Sequence, residues 1–223
     1  MGNLDTISLI LIAANVIISY KGFKDFSFFE RYKFHVGAIR RGEHIRLFSS
    51  GFLHADIAHL FVNMFGLYLF SDLVIYDMGK YHFLIIYMGS LLSGNLLSLY
   101  FHKNEYHYNA VGASGAVTGI LYSAILLRPE RDYYFLFLPP RVGNVDLGIP
   151  GYVLGISYLL YSIYGMKKRI GNIGHDAHFG GAVGGYVITL MLMPVLFTEH
   201  MLMVGLLAIP IVVLFVLQRL GRL

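Results

Sequence analysis

Seven apolar runs, separated by short polar breaks, fill most of this chain and leave it few ways to fold. They lie at about Leu4 to Tyr20, Ile57 to Ile75, His82 to Tyr100, Ser114 to Leu127, Leu147 to Tyr164, Ala177 to Phe197 and Met201 to Leu217. A helix needs about 20 mostly apolar residues to cross a hydrocarbon core roughly 30 Å thick, and most of these runs approach that length. In hydrocarbon every backbone N–H and C=O must find its partner inside the protein, which a helix achieves within one run. Composition agrees: 57% of the 223 residues are hydrophobic and only 13% are charged, against about 25% charged in a soluble domain. The expected fold is an all-α polytopic bundle of six core transmembrane helices with an additional C-terminal helix. Residues 1–223 read as one membrane domain, its core at about 4–197 and the extra helix at about 201–217. The first run has neither a basic leader nor a small-residue cleavage site, so it reads as a retained span.

Several function classes drop out. The chain has no Cys, which removes disulfides, thiolate metal sites and a Cys nucleophile. A formal charge of +4, carried on loops rather than along one stripe, does not suit nucleic acid as a partner. The implied partner is the lipid bilayer. Trp is absent, so the 17 Tyr must supply any interfacial belt. Lys21 to Asp56 is the longest stretch outside the runs. It mixes Phe23, Phe26, Phe28, Phe29, Tyr32 and Phe34 with scattered charges, and reads as a folded loop lying half in the interface.

Polar residues inside membrane spans are functional candidates by default, because they are expensive to keep there. The fourth run is informative by its shortness. Fourteen residues at about 1.5 Å each reach roughly 21 Å, well short of the core. Ser114 marks the recessed end, and the segment before it must dip into the membrane as irregular backbone lining a cavity. Gly112 and Gly115 permit a tight turn there and leave backbone N–H groups free to bind an oxyanion. Gly-Ala-Ser-Gly alone serves equally as a helix contact or an N-cap.

A Ser nucleophile needs a base. His178 opens a Gly-rich sixth run, where Gly180 and Gly184 repeat the four-residue spacing of Gly115 and Gly119. Two such faces allow close backbone approach and would bring His178 to Ser114. His59 and Asn63, at i and i+4, share one face of the second run and can donate hydrogen bonds to an oxyanion. A polar pair cementing two helices is the plainer use of the same residues. His54 is read as shaping the loop, and Asp176, on a different helical face from His178, is given no catalytic part. Ser114, His178 and the His59/Asn63 pair all open runs on the same side of the membrane.

Together these pieces resemble the rhomboid family of intramembrane serine proteases: His59-xxx-Asn63 in the second helix, Gly-Ala-Ser114-Gly opening the fourth, and Ala-His178-xx-Gly-xxx-Gly in the sixth. The resemblance implies a Ser114–His178 dyad without an acidic third member. It also implies an oxyanion site at His59, Asn63 and the Ser114 N–H, no cofactor or metal, and transmembrane segments of other proteins as substrates. It places the chain in a bacterial inner membrane and says nothing of oligomeric state. Two departures stand out. Ile45-Arg46 replaces a Trp-Arg pair, and Thr118 stands where many bacterial members carry a Tyr that packs on the base. Support for His178 must then come from elsewhere, a different aromatic being one candidate. Loop charges run against the family orientation: Lys21, Lys24, Arg31, Lys33, Arg40, Arg41, Arg46, Lys103, Lys167, Lys168 and Arg169 lie on the side expected to be external. The rival readings are a small transporter using His54, His59, Asn63, His175 and His178, and a non-catalytic binder of transmembrane helices.

Overall fold

The structure is a computed structural model that describes residues 4–134, 139–168 and 174–223; Arg169, counted above among the loop charges, lies outside them. α1 (Thr6–Lys24) begins at Asp5, whose carboxylate accepts from the Ile7 N–H at 2.8 Å. The stretch after it is folded, as expected, into α2 (Phe26–Tyr32), α3 (Val36–Arg40) and α4 (Arg46–Ser49). α5 (Ile57–Met78) begins at a second carboxylate cap, Asp56 accepting from the His59 N–H at 2.7 Å. Such caps satisfy N–H groups that no helical carbonyl reaches. Gly79, at φ +83°, makes the turn into α6 (Lys80–Phe101). There follow α7 (Ser114–Leu127), α8 (Gly151–Lys168), α9 (His175–Leu192), α10 (Leu196–Glu199) and α11 (Met201–Arg219).

The fourth run keeps the bounds the sequence suggests. The fifth begins later than expected, because Ile149–Pro150 is extended and pairs with Asp132–Tyr133. The sixth ends at Leu192 rather than Phe197. Met193 leaves the helical region at φ −134° and ψ 69°, because the ring of Pro194 disfavours helical backbone at the residue before it. Among the described residues α1, α5, α6 and α11 are long and apolar enough to cross a membrane. α8 and α9 match them nearly in length, but their Gly, Tyr and His lower the hydropathy.

α7 is short because it does not face lipid. Eleven of its 14 residues are buried, and it is enclosed by α5, α6, α8 and α9. The first loop closes over its N-terminal end. Arg46 donates through Nε to Glu43 at 2.8 Å and through Nη1 to the carbonyls of Glu30 and Lys33 at 2.8 and 2.9 Å. It is buried, so part of the loop's positive charge is structural and says little about orientation. β1 (Phe34–His35) pairs antiparallel with β2 (Asn109–Ala110). That ribbon ties the segment leading to Ser114 onto the first loop.

The glycine faces differ from the expected pairing by one residue. Gly180 and Gly184 meet α6, not α7: a Cβ on Gly180 would lie 2.8 Å from the Ser93 carbonyl, and one on Gly184 would lie 2.7 Å from Ser93 Oγ. Gly181 and Gly185 are the pair that face α7, where a Cβ on either would collide with the carbonyl of Gly115 or Gly119. Doubled glycines at 180–181 and 184–185 give α9 two adjacent small faces about 100° apart. One receives α6 and the other α7. A side chain at 181 must displace backbone, which typically costs about 1–3 kcal/mol. Gly181→Ala should therefore lower the Tm in detergent, whereas Gly205→Ala, with open space around it, should not; equal melting of the two variants would contradict this packing.

Asp176 turns away from His178 toward His102, whose Nε2 lies 3.3 Å from its carboxylate. His102 also contacts Glu105 at 3.0 Å and stacks on Tyr108 at 3.5 Å between ring centres. Burial pushes the His102 pKa down, but the two carboxylates outweigh it and hold the imidazole above its ordinary value. A raised folded-state pKa stabilises the fold fully below the unfolded value of about 6.5 and loses that effect as pH rises through the folded value. The stability gap between the parent and His102→Gln should thus be larger at pH 5.5 than at pH 9, as read by thermal unfolding at both values.

Candidate active site

The approach to Ser114 is held in an unusual path by three anchors. Gly112 adopts φ +132°, a conformation that side chains rarely tolerate. Its N–H donates to the Ser50 carbonyl at 3.0 Å. That bond corrects the expectation that Gly112 offers a free oxyanion donor: the first loop has taken its only proton. What Gly112 supplies is room. A Cβ there would sit 2.8 Å from Cε1 and Nε2 of His59 and 3.8 Å from Ser114 Oγ, so the His59 ring and the Ser114 hydroxyl flank the same small space.

His54 is the second anchor and does more than shape a loop. Burial, helped by the neighbouring His59, pushes its pKa down to about 3 and keeps the ring neutral. The Ala113 N–H approaches its Nε2 at 3.4 Å, so the ring proton sits on Nδ1 and is donated to Ser19 Oγ at 2.8 Å. Ser19 in turn donates to the Phe52 carbonyl at 3.0 Å. The third anchor, Asn95, donates to the Leu47 carbonyl and to Ser50 Oγ at 2.8 and 3.2 Å. Sequence reasoning passed over Ser19, Ser50 and Asn95; each is a buried polar residue facing another run, and only the fold reveals the partner.

Ser114 opens α7 with no side chain capping the helix. The first N–H groups of an uncapped helix are unsatisfied by the helix itself and carry the positive end of its dipole. Both Ser114 and His178 are half-buried. Their first turns lie side by side, since a Cβ on Gly115 would be 3.2 Å from the Ala177 carbonyl. His59 is half-buried as well. Asn63 is 4% exposed and spends one amide proton on the His59 carbonyl at 2.9 Å, leaving one N–H for another acceptor.

The aromatic support for His178 comes from α8. Tyr158 OH lies 3.0 Å from His178 Nδ1, and its ring stacks on the imidazole with centres 6.3 Å apart and a 20° tilt. The same hydroxyl lies 3.2 Å from Thr118 Oγ1, which donates to the Ser114 carbonyl at 2.8 Å. Thr118 therefore does not merely replace a missing Tyr; it holds the Tyr that another helix brings. His175, the partner in the metal-path reading, has its ring 6.4 Å from that of His178 and packs edge-on to Tyr161. Among the described residues no three His, Asp or Glu converge as a metal cluster.

The family model for the Rhomboid domain matches residues 41–195, a span that contains every residue of this site except Ser19. The chain is 26% identical over 191 residues to RHOMBOID-like protein 12, mitochondrial, of Arabidopsis thaliana, covering 79% of this chain and 54% of that protein. It is 29% identical over 144 residues to Rhomboid protein 1, mitochondrial, of Saccharomyces cerevisiae, covering 63% and 40%. It is 29% identical over 148 residues to Rhomboid protease GluP of Bacillus subtilis, covering 66% and 26%. The chain thus spans about half or less of the length of these curated relatives. Motif order, a buried short fourth helix and a family match over more than half of the chain lead to one conclusion: this integral membrane protein belongs to the rhomboid family.

Proposed function

We propose that the chain is an intramembrane serine endopeptidase that hydrolyses peptide bonds in or near transmembrane segments of other proteins. The observation that carries this reading is the half-buried Ser114 at the start of an enclosed helix, beside His178 on the adjoining helix start. Ser114 Oγ attacks the scissile carbonyl carbon while His178 Nε2 takes its proton. The proton passes to the departing amine as the C–N bond breaks, leaving an acyl-Ser114 ester. Water then attacks that ester, giving a proton to His178, which returns it to Ser114 Oγ as the C–O bond breaks and the new carboxylic acid leaves. His59, the free N–H of Asn63 and the Ser114 N–H face the developing oxyanion, and Gly112 keeps the space open. No cofactor takes part.

A bilayer-embedded site explains why α7 stops short. A helix continuing past Ser114 would fill the cavity that water and substrate must share. The whole chain reads as one membrane domain, because α1 packs on α5 and α11 on α8 outside the family match. The bacterial inner membrane remains the reading for location; two of the relatives above are named mitochondrial, so fractionation of the native source decides the compartment.

The test is cleavage of a fluorescent transmembrane-segment substrate by the purified protein in detergent. Ser114→Ala and His178→Ala should each abolish cleavage while substrate binding persists. His59→Ala should lower kcat by roughly 10²–10³, the cost of one oxyanion donor, and Asn63→Ala should act in the same direction. Cleavage retained by Ser114→Ala overturns the proposal. Inhibition by chelators, with indifference to serine-directed phosphonates, would instead support metal transport.

A further inference from the structure

We propose that Tyr158 is a positioning residue that fixes His178 in the Nδ1–H tautomer, through a proton chain that ends on the backbone of Ser114 itself. This rests on the protease reading for its consequence, though not for its geometry.

Counting protons settles the direction of the chain. The Ser114 carbonyl has only lone pairs, so the Thr118 hydroxyl must donate its single proton in the 2.8 Å bond between them. Thr118 Oγ1 then has no proton left for Tyr158, 3.2 Å away. The phenol must donate there, which uses its only proton. What remains at the Tyr158 oxygen is a lone pair facing His178 Nδ1 at 3.0 Å. A lone pair on both sides would repel, so Nδ1 carries hydrogen and donates. In a neutral imidazole the other nitrogen is then bare. Nε2, the atom that must accept a proton from the nucleophile, is therefore held ready.

The chain has a second consequence. Thr118 lies one helical turn beyond Ser114 on α7 and Tyr158 lies on α8, so the base takes its orientation from the nucleophile's own helix through a third element. When His178 gains a proton, the Nδ1–H bond to Tyr158 strengthens as the ring becomes cationic. Tyr158 thus occupies the position at Nδ1 that an acidic third residue fills in a triad, without placing a second charge in the membrane. Asp176, the nearest carboxylate in sequence, is committed to His102.

The experiment reads the tautomer directly. Protein carrying 15N-labelled histidine, in detergent at pH 8 and in a Ser114→Ala background, is examined by proton–nitrogen correlation of the imidazoles. The His178 signals are assigned by their loss in His178→Gln. The expected result is a protonated Nδ1 and a bare Nε2, shifting toward the Nε2–H form in Tyr158→Phe and in Thr118→Val. With Ser114 restored, each variant should lose about tenfold in kcat at unchanged KM, as one hydrogen bond's worth of orientation is removed. The double variant should lose little more than either alone, since both break one chain. An Nε2–H tautomer in the Ser114→Ala protein, or an Nδ1–H tautomer retained in both variants, overturns the proposal whatever happens to cleavage. Because the tautomer is read without turnover, cleavage that survives Ser114→Ala would sink the protease reading and leave this result standing.

Discussion

Backbone contact between α7 and α9 is the constraint on which the rest of this structure depends. Gly115 and Gly119 lie against Gly181 and Gly185 so closely that a single methyl on the α9 pair would meet a carbonyl. In a bilayer no hydrophobic force drives apolar helices together, since lipid tails are as apolar as Leu. Close packing and interhelical hydrogen bonds must do it. Thr189 donates to Ser123 Oγ at 2.7 Å, and Ser123 donates back to the Gly119 carbonyl at 2.9 Å, adding polar bonds along the same seam. The starts of the two helices are thereby locked at one depth, and Ser114 and His178 are residues of those starts.

Enclosure of α7 follows from that contact. The second small face of α9 takes α6, with Gly94 close enough that a Cβ on it would lie 2.6 Å from the Ala177 carbonyl. Three helices therefore meet around Gly94, Gly115 and Gly181 with almost no side chain between them. Once α7 is surrounded, it has no need to match the bilayer thickness. Its recessed N-terminus can open into a polar space whose walls come from the first loop and α5. The anchors of that space, Ser50, His54 and Asn95, hold backbone rather than solvent, which suits a loop that must stay irregular within the membrane.

How much of this the sequence disclosed depends on the range of the interaction. Run length and hydropathy placed the helices, because a 20-residue apolar run has one way to satisfy its backbone in lipid. Ser114, His178, His59 and Gly112 stood out as candidates because polar or flexible residues in such runs are rare enough to demand a reason. The one-residue error in the glycine faces has a physical source. A repeat of paired glycines is small on two adjacent faces, and spacing alone cannot say which neighbour takes which. The N–H of Gly112 was misjudged for a similar reason: only the fold shows that Ser50 claims it.

Tyr158 marks the remaining gap between pattern and structure. A tyrosine amid span five carries no signal of its own, as Tyr is common at membrane interfaces and this chain has many. The signal lay in Thr118, a small hydroxyl at a position where a ring is expected. A Thr one turn into a helix usually turns its proton back onto the preceding carbonyl, as it does here. That habit leaves its oxygen available as an acceptor, and the acceptor orients a phenol from across the helix interface. Replacing Tyr by Thr at 118 thus moves the aromatic to another helix while converting a packing contact into a directional hydrogen bond. In the proposed dyad His178 is then held by proton direction as well as by shape, with the Ser114 carbonyl as the fixed end of the chain.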